Sequence, residues 1–124
     1  GVLRLVRESL ENLAGLEVAT SPDPEYAFEM ALQRRFRLFV FQRTMPGLGG
    51  EMLYSLVSKA YQYREPPPPW TPAVVYIADD QLELQQCRDL RQDARVVDVI
   101  TAPINIERLL GAVREVFGSP GKGR

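Results

Sequence analysis

Few side chains in this sequence can perform acid–base, nucleophilic or metal chemistry. Histidine is absent and cysteine occurs once, at Cys87. A serine–histidine or cysteine–histidine pair, a histidine-ligated zinc site and an intramolecular disulfide are therefore excluded. Asp79 and Asp80 are adjacent acids that could bind a metal, but acids directly before a helical pattern more often cap the helix. Cys87 is most simply a small residue of the core.

Composition limits the classes of partner. The 124 residues include 15 lysines and arginines against 16 aspartates and glutamates, and 45% of them are hydrophobic. These values are typical of one ordinary globular domain with a real core. The near-neutral charge removes the electrostatic basis for nucleic-acid binding. No apolar run approaches the roughly 18 residues of a membrane span, and no signal-peptide pattern is present, so we expect a cytoplasmic domain that binds neither nucleic acid nor membrane.

Helical and strand patterns alternate along the chain. Strands are predicted at residues 16–20, 36–41, 73–78 and 96–100, each followed by a helical pattern, with Asp23 and Asn105 as helix caps. Continuously apolar strands such as 38–41 are typical of a sheet covered on both faces. Residues 2–13 have helical spacing throughout, which we favour over a short strand at 2–6. The order predicts an α/β fold, a three-layer doubly wound parallel sheet.

Ligands of such folds bind beyond the carboxyl ends of the strands. Here the segments 20–23, 42–50, 77–80 and 101–103 should meet at that edge. An apolar strand leads into Gln42, Met45 and Pro46 follow three and four residues later, and Gly50 follows eight residues later. This pattern resembles the third strand of CheY-like receiver domains of bacterial response regulators, in which an aspartate stands at the position of Gln42.

The resemblance extends over nearly the whole chain and implies a CheY/flavodoxin-like fold. The step Ala102-Pro103 resembles the family's Lys-Pro, and Ile77-Ala78 resembles a hydroxyl residue followed by alanine. Each of these positions departs from what phosphotransfer in the family requires. Gln42 is an amide rather than a carboxylate nucleophile, Ile77 cannot donate a hydrogen bond, and Ala102 carries no charge.

The acidic pair that holds Mg²⁺ in the family follows its first strand, and here that strand is doubtful. If residues 2–13 are a helix, the strand lies outside this chain or has been lost; if 2–6 are a strand, only Glu8 is close. The resemblance therefore implies a degenerate pseudo-receiver with no phosphoacceptor, catalytic residue, cofactor or metal. We expect its carboxyl edge to lack ionisable groups. Gln42 is then either a neutral mimic that holds one conformation or a plain polar residue at a strand end.

Three residues are candidates for partner contact: Trp70, Val99 and Val116. Trp70 lies in the proline-rich connector at 65–72, where it could anchor a partner or fold back on Tyr61 or Tyr63. Val99 stands where receivers often keep a switching aromatic residue, and residues 96–117 resemble the part of receivers that contacts partners or a twin domain.

The sequence thus predicts a pseudo-receiver domain at residues 1–118, with 119–124 as a flexible tail or linker to an output domain. We expect it to act without phosphorylation, through a protein partner or a homodimer, in bacterial signal transduction or transcription regulation. Two alternatives remain open: an atypical receiver that still responds to phosphate or a ligand, and a small α/β nucleotide- or metabolite-binding domain. Against the last, the chain has neither a G-x-x-x-x-G-K-[ST] loop nor a G-x-G-x-x-G turn.

Overall fold

Three parallel strands flanked by helices form the fold, in a computed structural model that describes residues 2–118. The elements are α1 (Val2–Ala14), α2 (Pro24–Gln33), β1 (Leu38–Gln42), α3 (Gly50–Gln62), β2 (Ala73–Ala78), α4 (Gln81–Gln86), a 3-10 helix (Arg88–Gln92), β3 (Val96–Thr101) and α5 (Ile106–Phe117). The strands lie in the order β1-β2-β3, with β2 at the centre. The predicted α/β fold with a parallel sheet is confirmed.

Successive residues of the strands supply two separate cores, because side chains alternate between the faces of a sheet. Val74 packs with α2 and α3 on one face, and the next residue, Val75, packs with α1 and α5 on the other. Both valines are fully buried. The chain therefore forms three layers, with α2, α3 and α4 on one face of the sheet and α1 and α5 on the other.

The first segment is helical, so the interpretation of residues 2–13 as a helix is confirmed. The predicted strand at residues 16–20 is wrong. Leu16 and Val18 do pack against the core, but the segment has no strand partner. A strand needs a neighbour for its backbone groups, and among residues 2–118 β1 pairs only with β2, which leaves its other edge open.

Other boundaries shift by a few residues. β1 begins at Leu38 rather than residue 36, since the Phe36 N–H donates instead to the Tyr61 hydroxyl at 2.9 Å. The helix after β2 ends at Gln86, and a 3-10 helix follows it. Cys87 between them is 1% exposed, and burial raises the pKa of its thiol, as expected of a core residue. The predicted tail at residues 119–124 lies outside the described residues.

Side-chain caps begin three of the helices, as the sequence predicts. Asp23 accepts a hydrogen bond from the Glu25 N–H at 3.1 Å, and Asn105 accepts one from the Arg108 N–H at 3.1 Å. Asp80 accepts one from the Glu83 N–H at 2.9 Å. Since these bonds satisfy N–H groups that have no partner within the helix, Asp80 is explained by capping.

Asp98 joins β3 to the 3-10 helix and to α5. Its carboxylate lies 2.9 Å from Arg91 Nη2 and 2.7 Å from Arg108 Nε. Burial raises the pKa of Asp98, but hydrogen bonds from Arg108 and from the Val99 N–H outweigh it, so the pKa lies below its usual value. Hydrogen bonds from Arg95 lower the pKa of Asp93 to about 2.

These depressed pKa values predict a loss of stability in acid. Both carboxyls bind protons more weakly when folded, so their stabilisation is present above the unfolded pKa of about 3.9 and is lost as the pH falls toward 2. Urea unfolding between pH 7 and pH 2 should show this decline. Asp98→Asn should make it shallower and lower the free energy of unfolding at pH 7 by about 1 kcal/mol. The exposed Asp89→Asn is the control; an equal flattening there would contradict the assignment to Asp98.

Candidate functional site

The predicted site positions meet at the carboxyl edge of the sheet. Gln42 pairs in register with Ile77, and Ile77 pairs with Ile100. The Arg43 N–H donates to the Ile77 carbonyl at 2.9 Å, and the Ala102 N–H donates to the Ala78 carbonyl at 2.9 Å. Gln42, Ile77 and Ala102 therefore end three neighbouring strands, as the sequence predicts.

The side chains at this edge differ in exposure. Gln42 is exposed, Ala102 is half-buried, and Pro103 is exposed after it. Ile77 is only 3% exposed and belongs to the core shared with α1 and α5. The buried alkyl side chain of Ile77 cannot donate a hydrogen bond at the edge, and it leaves no room for a water molecule at its position.

The loop between β1 and α3 is fixed by a close approach of two backbones. Gly50 is buried, and its N–H donates to the Arg43 carbonyl at 3.0 Å. A Cβ atom on Gly50 would collide with the carbonyl group of Gln42 and lie 3.2 Å from the Phe41 Cβ. Met45 packs half-buried against the core, while Pro46 is exposed. The glycine at this spacing is thus required by packing.

Ionisable groups do occupy the carboxyl edge, contrary to the sequence-based expectation. Arg43 Nε lies 3.0 Å from Glu51 Oε1, and its Nη1 lies 3.9 Å from Glu83 Oε2. The Thr44 hydroxyl donates to Glu83 Oε2 at 2.7 Å, and the Asp79 N–H donates to Glu83 Oε1 at 2.9 Å. We call Arg43, Thr44, Glu51 and Glu83 the edge network.

The edge network was missed because its members lie up to 40 residues apart and share no motif. One guanidinium serves two carboxylates, so the network carries a net charge of −1 and its two carboxylates are both engaged by Arg43. Within residues 2–118, no group of three or more acidic or cysteine side chains is placed to hold a metal ion. At the ends of the three strands, Gln42, Ile77 and Ala102 offer an amide, a buried alkyl group and a methyl group, none of which is a strong nucleophile.

The partner-contact candidates have different surroundings. The Trp70 ring is half-buried at 6.4 Å from the Tyr61 ring, so it folds back, which was one of its two alternatives. Val99 is 0% exposed, which corrects the expectation of partner contact, since a buried β3 side chain cannot reach another protein. Val116 is half-buried on α5.

The side chain of Arg37 connects the proline-rich segment that carries Trp70 with the end of α5. The Arg37 guanidinium carbon lies 5.6 Å from the centroid of the Trp70 ring and 5.6 Å from that of Phe117. Phe117 follows Val116 at the end of α5 and is 36% exposed. We call Arg37, Trp70 and Phe117 the Trp70 patch. None of the helices within residues 2–118 is long and apolar enough to cross a membrane.

No family model and no curated protein matches this sequence. Solved structures match it over most of its length. The chemotaxis protein CheY4 of Vibrio cholerae is 20% identical, with 93% of this chain and 88% of that chain covered and a TM-score of 0.68. The receiver domain of the response regulator AraT of Geobacillus stearothermophilus is 24% identical, with 93% and 84% covered and a TM-score of 0.71.

A third structure extends the comparison to a kinase-linked receiver. It is the receiver domain of the sensor histidine kinase PA1611 of Pseudomonas aeruginosa PAO1, with a magnesium ion coordinated in its active-site cleft. It is 17% identical, with 95% of this chain and 90% of that chain covered and a TM-score of 0.66. At these identities the likeness concerns the fold. The chain has the fold of CheY-like response-regulator receiver domains.

Proposed function

We propose that this chain is a pseudo-receiver: a non-enzymatic, cytoplasmic signalling domain that acts through protein contact and accepts no phosphate. The observation that carries this proposal concerns three positions at the carboxyl ends of adjacent strands. Gln42, Ile77 and Ala102 stand there in place of the family's aspartate, hydroxyl residue and lysine. Phosphoryl transfer needs a nucleophile and charged groups that neutralise the transferred oxygens. An amide, a buried alkyl group and a methyl group supply neither.

The edge network supports the same proposal. Its only guanidinium, on Arg43, is already held by Glu51 at 3.0 Å, and the Thr44 hydroxyl is held by Glu83 at 2.7 Å. The Arg43 Nε–H and the Thr44 hydroxyl are thus already engaged within the chain, and recruiting either donor for a phosphoryl group would break its contact with a glutamate.

The Trp70 patch supports contact with a protein partner or a second copy of the chain. Tryptophan and arginine are enriched among residues that dominate binding energy at protein interfaces. Here both lie beside Phe117 and the half-buried Val116 at the end of α5. We propose that a longer protein carries this domain at residues 1–118 and continues through 119–124 as a linker to an output domain. Neither nucleic acid nor membrane is a proposed partner.

The decisive experiment exposes the chain to acetyl phosphate and Mg²⁺ and measures its intact mass. We expect no added phosphoryl group, under conditions that fully modify a conventional receiver domain run in parallel. We also expect acetyl phosphate to leave the molar mass measured by light scattering, and hence the oligomeric state, unchanged, because the chain takes up no phosphoryl group. A phosphoryl adduct on the unaltered chain would overturn the proposal. If the adduct were lost in Gln42→Ala, it would depend on Gln42; if it persisted in that variant, the acceptor would lie elsewhere in the chain.

A further inference from the structure

A cavity lies between α3 and residues 90–96. Its volume is about 380 Å³, within the range of roughly 300–1,000 Å³ that is usual for small-molecule sites. The polar side chains that matter for its chemistry are those of Tyr54, Ser58, Lys59, Tyr76, Asp93 and Arg95. We call this cavity the α3 cleft.

Ser58 is the first indication that the α3 cleft is built to bind something. The residue is 3% exposed, and its hydroxyl is the only buried side-chain polar atom of the described residues that has no hydrogen-bond partner. The neighbouring Tyr54 hydroxyl donates its proton to the Pro72 carbonyl and therefore has none to donate to Ser58. A buried hydroxyl without a partner is unfavourable, so a group in the cleft that accepts its proton would stabilise the fold.

Of the lining bases that the structure describes, Lys59 is the one without an ion pair. The cleft is lined by two acids, Glu51 and Asp93, and by two bases, Lys59 and Arg95. Asp93 is held by Arg95 at 2.7 Å, and Glu51 is held by Arg43 at 3.0 Å. Lys59 is exposed and makes no ion pair with the described part of the chain. Its ammonium is therefore available to pair with an anionic group.

The walls favour a ligand with an apolar body. Tyr76, Leu90 and Val96 line the cleft from β2, the 3-10 helix and β3. Tyr76 is 3% exposed, and burial raises the pKa of its phenol, with further increases from Glu51 and Tyr54. The ring of Tyr76 and the alkyl groups of Leu90 and Val96 are available to contact an apolar body.

We propose that the α3 cleft binds a small organic acid, whose carboxylate pairs with the Lys59 ammonium and accepts a hydrogen bond from the Ser58 hydroxyl. Its apolar body lies against Tyr76 and Leu90. The size of the cleft suits such a molecule better than a bare inorganic anion, which would leave the apolar walls in contact with water. The cleft shares Glu51 with the edge network, but the proposed site does not rest on the proposed pseudo-receiver function.

Phenylacetate is the probe. Phenylacetamide is its neutral counterpart, and acetate keeps the carboxylate but lacks the apolar ring. In an amide NMR titration of the chain, we expect saturable shifts at residues of α3 and at residues 93–96, with a dissociation constant of about 1 mM or tighter. Phenylacetamide and acetate should each bind about tenfold more weakly, since each lacks one of the two recognised parts. No saturable shift, or equal binding of the amide, would overturn the proposal.

Two variants separate binding from mere stabilisation. Lys59→Gln should weaken phenylacetate about fivefold or more without changing the melting temperature, because Lys59 is exposed. Ser58→Ala should raise the melting temperature of the free chain, by removing an unpartnered hydroxyl, and yet weaken phenylacetate. Ser55→Ala, on the exposed lip of the cleft, is the matched control and should change neither. Unchanged affinity in both Lys59→Gln and Ser58→Ala would show that the cleft is not the binding site.

Discussion

Gly50→Ala is expected to lower the free energy of unfolding by about 3 kcal/mol or more. A Cβ atom at this position would overlap the carbonyl group of Gln42, which is backbone and cannot turn away like a side chain. Either the end of β1 or the start of α3 must move, which also lengthens the hydrogen bond from the Gly50 N–H to the Arg43 carbonyl. Urea unfolding followed by circular dichroism measures the loss.

Gly111→Ala is the matched control for this substitution. Gly111 lies inside α5, and a Cβ atom built on it has no neighbour within 4 Å. Alanine there should raise the stability by about 0.5–1 kcal/mol, because it lowers the conformational entropy of the unfolded chain and favours a helix. If both variants changed stability in the same direction, the close approach at Gly50 would not be the cause of its effect.

Tyr61→Phe is expected to destabilise the fold by about 1–3 kcal/mol. Its hydroxyl lies 2.8 Å from the Arg34 carbonyl and 3.0 Å from the Ala31 carbonyl, and it accepts the Phe36 N–H at 2.9 Å. One phenol thus connects the end of α2 to the approach to β1. Phenylalanine keeps the packing of the ring and leaves these backbone groups without that partner.

Tyr63→Phe provides the control, since Tyr63 is 84% exposed and lies at the end of the same helix. It should leave the melting temperature unchanged. Hydrogen exchange adds a local test: the Phe36 amide should exchange faster in Tyr61→Phe than in the unaltered chain. An unchanged Phe36 amide would mean that the hydroxyl does not hold this corner.

The sequence predicts those elements whose cause is local. The spacing of Val6 and Leu10 is enough to define α1, and Asp23 and Asn105 mark two helix starts by their side chains alone. The continuous apolar run at 73–78 defines the central strand, because only a strand covered on both faces tolerates it. The parallel direction of the strands follows from the alternation of strands and helices.

The segment at residues 16–20 shows where local reasoning ends. The segment was predicted as a strand, and in the structure Leu16 and Val18 pack against the core without any strand pairing. Pairing depends on whether a neighbouring strand presents free backbone groups at the right distance, and a pattern within one segment carries no such information.

The site divides in the same way. Gln42, Ile77 and Ala102 could be placed together because each lies at or next to the carboxyl end of a strand of a parallel sheet. The edge network and the α3 cleft could not, since Arg43 and Glu83, or Ser58 and Arg95, meet only through the folded chain. Charge pairs between distant segments leave no periodic signal in a sequence.

Glu83 has a mechanical consequence. One carboxylate binds the Asp79 N–H through Oε1 and the Thr44 hydroxyl through Oε2, so it spans the turns after β2 and β1. Those turns cannot drift apart unless a charged hydrogen bond breaks, and such bonds are about twice as strong as neutral ones. Displacing either turn is therefore expected to displace the other, so that the two turns move together when a protein binds to one of them.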